Sequence, residues 1–206
     1  MGRKALFDRR DMSGAALRLV AERGPQSVTI ADVAREIGAP TGSIYHRYQS
    51  RDQLLAELWM DVVEGFQREF VAALERARDL DAAVDVAGFM PAWARTHPLE
   101  TRLLLLHRRR DFVSGEWPAD LAGRAAVLEP QLGQALRAFA LRACGGASAE
   151  TMARLRYALL DAPFGGLKPY VQSGKPIPRI VDQLVVETAR AVLAATFAPT
   201  GVRSVP

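Results

Sequence analysis

The sequence is poor in the residues that build disulfide frameworks and metal sites. Cys144 is the single cysteine among 206 residues, so no disulfide can form within the chain; one thiol is typical of a reducing compartment. The three histidines, His46, His97 and His107, are too far apart in sequence for one helical face to hold a metal ion. We therefore expect a cytoplasmic protein with no cofactor and no metal.

Long apolar runs and catalytic motifs are also missing. No stretch reaches the roughly 18 apolar residues that a membrane-spanning helix needs, and the N-terminus lacks the apolar core of a signal peptide. The HExxH, CxxC, GxSxG and glycine-rich phosphate-binding patterns do not occur in a supporting context. These absences argue against a membrane protein and against an enzyme.

Strand-like alternation is absent as well, whereas apolar residues recur at helical spacing along the chain. The spacing and the Gly and Pro breakers predict helices over about 8–22, 51–77, 81–96, 98–109, 118–144, 148–172 and 178–197, besides two short ones near residues 30–48. We expect an all-α fold of about nine helices. A helix–turn–helix head would occupy residues 1–50, and a helical domain residues 51–206.

The net charge of +4 is unevenly placed. Residues 1–56 hold nine basic against six acidic side chains, whereas the rest of the chain holds 18 against 17. A local positive excess is typical of a nucleic-acid-binding surface. Arg3 and Lys4 would form a short basic arm, which either follows the DNA backbone or is a solvated tail.

The most informative segment is residues 29–55, TIADVAREIGAPTGSIYHRYQSRDQLL. Thr29 is a good N-cap, and Asp32 stands where a capping box needs a carboxylate. Gly38 is suited to end this helix, because glycine adopts the left-handed conformation without steric cost. The apolar positions that share one helical face are Ile30, Val33, Ala34 and Ile37.

A turn at Ala39–Pro40 precedes a second short helix, which Thr41 would cap and which would run to about Tyr48. Its outward face would be polar, with hydroxyl, aromatic and basic groups suited to phosphates and base edges. The outward residues are Thr41, Gly42, Ser43, Tyr45, His46 and Arg47. The alternative is an ordinary helical hairpin with a solvated polar face.

The next helix opens with a Ser50–Gln53 capping box. Arg51 lies in its first turn, where a cation opposes the helix dipole. We therefore expect a compensating partner for Arg51, and a DNA phosphate would serve.

Together these residues resemble the DNA-binding head of the tetracycline-repressor-type (TetR) family. The matching elements are Gly24, T-I-x-x-V-A at 29–34, G-x-x-x-G-x-I-Y at 38–45, Tyr48, and S-R-D-x-L-L at 50–55. The resemblance implies phosphate or base contacts for Thr29, Thr41, Gly42, Ser43, Tyr45 and Arg51, and sequence specificity from His46 and Arg47. Arg51 replaces the usual lysine, and Gln49 stands at a variable position.

The resemblance also implies a small-molecule pocket among the middle helices. An apolar and aromatic lining favours a hydrophobic effector, although most such residues would equally suit a plain core. The candidate lining residues are Trp59, Phe66, Phe89, Met90, Trp93, Leu103, His107, Phe112, Trp117, Phe139, Tyr157 and Phe164.

Two C-terminal helices are expected to pair two copies of the chain, the alternative being internal packing of the same stripe. A homodimer would place two heads about 34 Å apart on a palindrome. The candidate interface residues are Leu155, Leu159, Ile180, Val181, Leu184, Val185, Thr188, Ala191 and Val192.

The sequence thus predicts a homodimeric transcriptional regulator, a repressor that a small hydrophobic effector releases from a double-stranded DNA operator. Two alternatives stay open. One is a regulator without an effector, acting as an activator or a constitutive repressor. The other is an enzyme or carrier that keeps a vestigial head.

Overall fold

The computed structural model describes residues 8–113 and 115–197, apart from the side chains at positions 80, 129, 195 and 197. The basic arm at Arg3 and Lys4 lies outside this part. The helices are α1 (Arg9–Arg23), α2 (Ile30–Glu36), α3 (Thr41–Tyr45), α4 (Arg51–Arg76), α5 (Leu80–Thr96), α6 (Pro98–Leu106), α7 (Ala119–Ala143), α8 (Ala149–Arg156), α9 (Ala162–Ser173) and α10 (Ile180–Phe197).

The predicted all-α class is confirmed. Helices α8 and α9 are joined without a break by the π-helical turn Tyr157–Asp161, so the three segments count as one rod and the total among the described residues is nine. No strand occurs in that part of the chain. None of its helices is long and apolar enough to span a membrane.

Contacts divide the chain into two compact units. The first comprises residues up to 65 together with 97–128, and the second comprises 66–96 together with residues from 129 onward. The predicted boundary at residue 50 therefore does not coincide with a boundary between these units. Helices α4 and α7 each contribute to both units.

The first unit has one continuous apolar core under the predicted head. Leu19 and Val20 of α1, Ile44 of α3 and Leu54 and Leu55 of α4 are all buried in it. Leu103 of α6 and Phe112 beyond it belong to the same core. The head therefore rests on α4 and α6 in a single packed cluster, which fixes the orientation of α3 within this unit.

The second unit is built around α5 and α10. The side chain of Phe66 contacts four other rings, those of Phe70, Phe89, Trp93 and Phe164, with centroid distances of 5.1–6.0 Å. Edge and tilted contacts of this kind stabilise a core beyond the area they bury. This aromatic cluster is the centre of the second unit.

Helix α6 is shorter than predicted. It ends at Leu106, and His107 takes an extended conformation. A new 3-10 turn, Arg109–Asp111, then begins, because the Asp111 carboxylate accepts the backbone N–H of Arg108 at 2.7 Å. This local hydrogen bond competes with continuation of the helix.

Candidate nucleic-acid interface

The start of α2 is fixed by the predicted capping box. The Thr29 hydroxyl accepts the backbone N–H of Asp32 at 3.2 Å, and the Asp32 carboxylate accepts the backbone N–H of Thr29 at 3.0 Å. The same carboxylate accepts the Thr29 hydroxyl proton at 2.6 Å. These hydrogen bonds lower the pKa of Asp32, the side-chain bond from Thr29 most of all.

The depressed pKa of Asp32 predicts a loss of stability in acid. Because the folded-state pKa lies below the usual 3.8, the carboxylate stabilises the head above that value, and its contribution is lost as the pH falls through the folded-state pKa. In Asp32→Asn the titration is absent. We expect the difference in melting temperature between the wild type and Asp32→Asn to be largest near neutral pH and to vanish in strong acid. A difference that does not change with pH would contradict the capping role.

The turn between α2 and α3 has the expected glycine. Gly38 has a φ of +67°, in the left-handed region, and the backbone N–H of Ala39 donates to the Ala34 carbonyl at 2.9 Å. The prediction that Thr41 caps α3 is wrong. Pro40 occupies the cap position with an extended ψ of 137°, and Thr41 is the first helical residue, so its hydroxyl is available to a ligand.

Helix α3 is also shorter than predicted. It ends at Tyr45, and residues 46–48 form a turn in which the backbone N–H groups of Arg47 and Tyr48 both donate to the Ile44 carbonyl at 2.9 Å. This tightening turns the chain inward and buries the Tyr48 side chain.

The burial pattern of this segment is strongly two-sided. Ile44 is 0% and Tyr48 is 1% exposed, whereas Tyr45, which lies between them in sequence, is 56% exposed. Ser43 and Arg51 are half-buried, and the remaining predicted contact residues are exposed: Thr29, Thr41, Gly42, His46 and Arg47. A large aromatic left in water beside two anchored apolar groups is available for contact with another molecule.

Tyr48 lies beside a polar network that the sequence did not reveal. Burial, and after it the charge of Glu57, raise the pKa of its phenol, whereas the positive charge of Arg9 lowers it. The Arg9 guanidinium pairs with Glu57 at 2.6 Å and approaches Asp61 at 3.7 Å. In the sequence, the available signal for this network is Glu57 and Asp61, two carboxyl groups four residues apart on α4.

Arg51 has a different partner from the one expected. Its Nε donates to the Val28 carbonyl at 2.7 Å and its Nη2 to the Pro25 carbonyl at 2.6 Å, while Nη1 pairs with Asp52 at 2.7 Å. These contacts tie the start of α4 to the connection that precedes α2. Backbone carbonyls, not a phosphate, explain the cation in this first turn.

Replacing Arg51 with methionine should therefore destabilise the protein. The variant keeps an unbranched side chain but leaves two carbonyls without their charged donor, at a cost of about 2 kcal/mol in the free energy of unfolding. Urea denaturation measures the change. The matched control is Arg47→Met on the exposed turn, which should change the free energy of unfolding by less than about 0.5 kcal/mol. Equal stability of the two variants would contradict the tether.

A positive region at the start of α1 adjoins α3. The pKa of Asp8 is lowered, first by the backbone N–H of Asp11, and also by the charges of Arg10 and Arg47. Arg10 and Arg47 are both exposed, and both lie near the Asp8 carboxylate. Sequence reasoning missed Arg10 as a neighbour of the recognition surface, because only the folded head brings α1 and α3 together.

The predicted pocket residues fall into two groups, one in each unit. The first unit holds Trp59, Leu103, His107, Phe112 and Trp117, and the second holds Phe66, Phe89, Met90, Trp93, Phe139, Tyr157 and Phe164. Leu103, Phe112 and Phe139 are fully buried core. Tyr157, at 50% exposure, faces outward from the first position of the π-helical turn.

His107 lies within the first unit, where the end of α6 meets the end of α1. Its ring lies 3.6 Å from the place where a Cβ on Gly24 would be, and it meets Phe112 edge-on at 6.2 Å. Burial lowers the pKa of His107. Arg102 of α6 donates to the Ala21 carbonyl at 2.5 Å, so α6 is hydrogen-bonded directly to the end of α1.

The predicted dimer-interface residues also fall into two groups, one buried within the chain and one exposed or half-buried. Leu155, Leu159, Val181 and Val185 are 0–5% exposed within their own chain and so cannot supply much area to a partner. Helical periodicity separates them from an outward stripe on α10, where Ile180 and Leu184 are each 52% exposed and Ala191 is also exposed. Thr188 and Val192 are half-buried at its edge.

The comparisons with known proteins agree with this geometry. Residues 14–58 match the family described as bacterial regulatory proteins, tetR family. The HTH-type transcriptional regulator BetI of Agrobacterium fabrum is 35% identical over 126 residues, which is 52% of this chain and 58% of that protein. The HTH-type transcriptional repressor KstR2 of Rhodococcus jostii is 34% identical over 80 residues, 37% of this chain and 39% of that protein. The matched region thus spans less than two thirds of these curated relatives.

Solved structures share the fold over nearly the whole chain. A transcriptional regulator from Rhodococcus sp. RHA1 superposes with a TM-score of 0.70 at 15% identity, covering 94% of this chain and 100% of that chain. FadR from Bacillus subtilis, in complex with stearoyl-CoA, has a TM-score of 0.64 at 11% identity over 93% and 98% of the two chains.

The fold and the exposed α3 surface define a helix–turn–helix head. Residues 14–58, which form that head, match the tetR family, and the remaining described helices share their fold with the solved structures.

Proposed function

We propose that the protein is a homodimeric transcriptional repressor that binds a palindromic DNA operator through α3 and is released by a small hydrophobic effector. The observation that carries the DNA-binding part is the exposed Tyr45 between the buried Ile44 and Tyr48. The two buried neighbours anchor the backbone of this segment in the core, and the Tyr45 side chain is open to a partner. An anchored backbone lowers the entropy cost of binding a groove.

The surroundings of Tyr45 supply groups for the DNA backbone. Thr41 is exposed at the first position of α3, and Thr29 is exposed at the N-cap of α2. Hydroxyls and helix N-termini are common phosphate contacts. Arg10 and Arg47 add positive charge beside the same surface, so affinity should depend strongly on salt.

The outward stripe of α10 supports the homodimer. Two large apolar side chains one helical turn apart, Ile180 and Leu184, are more than half exposed in the single chain. Large exposed apolar residues arranged in a line mark an interaction surface. A second copy that uses the same stripe would satisfy twofold symmetry, because an isologous interface matches a patch with itself.

The aromatic cluster of the second unit is the part we assign to the effector. Phe66, Phe89, Trp93 and Phe164 were predicted pocket residues, and their rings lie within contact distance. An apolar ligand would enter by separating these rings and would favour the conformation in which they are apart. The stearoyl-CoA bound to Bacillus subtilis FadR supports a ligand with an apolar chain.

One observation favours a second candidate, a regulator without an effector. The same rings pack closely, Phe66 and Trp93 lying edge-on at 5.1 Å, as a plain core would. A thermal-shift screen with long-chain acyl and aromatic compounds distinguishes the two. A saturable rise in melting temperature, with loss of operator binding, supports the effector; operator binding that no compound changes supports the second candidate.

The proposed function is tested by selecting duplexes from a random pool with the purified protein. We expect a palindrome whose half-sites lie about one helical turn apart, ~34 Å, and an affinity that falls steeply with salt. Recovery of no common sequence, with no salt-dependent binding to any duplex, would overturn the proposal and favour a carrier or enzyme with a vestigial head.

A further inference from the structure

A second group of positive charges lies outside the recognition surface, in the connection between α6 and α7. Arg108, Arg109 and Arg110 follow one another there, and together with Val113, Gly115 and Trp117 they line a shallow surface cleft of about 410 Å³. This volume is in the range of small-molecule sites. We call this feature the arginine cleft.

One of the three guanidinium groups is positioned in advance. Arg109 lies over the face of the Trp117 ring, 4.4 Å from its centroid, and Trp117 is itself held edge-on by Trp59 at 5.4 Å. Stacking fixes the plane of a guanidinium through its face. The N–H donors at its edge stay free for a planar, two-point contact with an anion.

The charge of the arginine cleft is not compensated within the described part of the chain. None of the three guanidinium groups there has a carboxylate at ion-pair distance. The nearest acid in sequence, Asp111, uses its carboxylate on the backbone N–H of Arg108. Three adjacent like charges repel one another, and a bound anion would relieve that repulsion.

We propose that the arginine cleft binds the phosphate groups of a small phosphorylated molecule. A phosphate or pyrophosphate group carries the multiple charge and the several acceptor oxygens that three neighbouring guanidinium groups match, and arginine pairs with such groups through two parallel hydrogen bonds. Val113 and Trp117 also line the cleft, so part of its lining is apolar and suits an uncharged part of the ligand.

The position of the cleft favours a small ligand over the DNA backbone. His107, next to Arg108, lies against Gly24 at the C-terminal end of α1, whereas Arg47 lies near Asp8 at its N-terminal end. The fifteen residues of α1 place these ends about 22 Å apart along the axis.

The test is isothermal titration calorimetry of the full chain with inorganic pyrophosphate at fixed ionic strength. We expect saturable binding that Arg109→Gln weakens about tenfold or more, because one charge-assisted, two-point contact is lost. Arg109→Lys should also lose most of the affinity, since lysine keeps the charge but not the planar fork. The matched control is Arg137→Gln, an exposed arginine of α7 outside the cleft, which should bind as the wild type does.

Three results would overturn the proposal. One is absence of saturable pyrophosphate binding by the wild type, with its melting curve intact. Another is equal weakening by Arg109→Gln and Arg137→Gln, which would mean attraction by net charge alone. The last is a loss of affinity for a duplex of arbitrary sequence in Arg109→Gln with pyrophosphate binding unchanged, which would assign the arginines to the DNA backbone. Pyrophosphate binding does not require an operator, so this test is independent of the proposed function.

Discussion

Replacing Tyr45 with alanine is expected to weaken operator binding roughly thirtyfold while leaving the melting temperature almost unchanged. The side chain is 56% exposed, so its removal opens no cavity. Loss of an aromatic contact with a phosphate or a thymine methyl costs about 1 kcal/mol per half-site, and the two half-sites of a dimer add to about 2 kcal/mol. Fluorescence anisotropy with the selected duplex measures the change.

Two matched variants make this result interpretable. Ile44→Ala, the buried neighbour of Tyr45, should lower the melting temperature clearly, because it removes core volume. Leu141→Ala, an apolar side chain that is 53% exposed on α7, should change neither property. Wild-type affinity in Tyr45→Ala would remove α3 from the DNA contact.

Replacing Leu184 with glutamate is expected to give monomers and to reduce operator affinity at least a hundredfold. Leu184 is 52% exposed on the outward stripe of α10, so the charge is tolerated in the single chain. In a twofold interface it would appear twice and would lose its hydration. A monomer reads one half-site and loses the avidity of two linked heads, which is worth about 10²–10⁴ in affinity.

Sedimentation velocity measures the first effect and anisotropy the second. The control is Leu141→Glu, which introduces the same charge at an equally exposed leucine outside the stripe. That variant should sediment and bind DNA as the wild type does. A dimer in Leu184→Glu would mean that another surface joins the two copies.

Local chemistry was readable from the sequence and distant packing was not. The Thr29–Asp32 capping box and the left-handed Gly38 follow from residues within a few positions of one another, and both are present. The partners of Arg51 could not be read in this way, because the carbonyls of Val28 and Pro25 lie 23 and 26 residues away in sequence. Nothing local distinguishes a cation that awaits a phosphate from one that binds carbonyls across the fold.

The C-terminal helices show a second limit of prediction from the sequence. A wide apolar stripe on α10 predicts a dimer contact, with internal packing as the alternative, but the sequence could not divide it into Val181 and Val185, which are buried, and Leu184, which is exposed. The π-helical turn at Tyr157–Asp161 has no signature in the pattern of apolar residues. Tyr157, the first residue of that turn, is 50% exposed, so this predicted pocket residue is on the surface.

The central claim is that the outward face of α3 touches DNA, and photo-crosslinking tests it directly. p-Benzoyl-phenylalanine would be placed in position 45 instead of tyrosine, and in position 141 instead of leucine as an equally exposed control. Irradiation with the selected duplex should join the position-45 probe to a nucleotide within a half-site and give no DNA adduct from position 141. Crosslinks from position 45 to the protein's own residues alone, with duplex bound, would contradict the account.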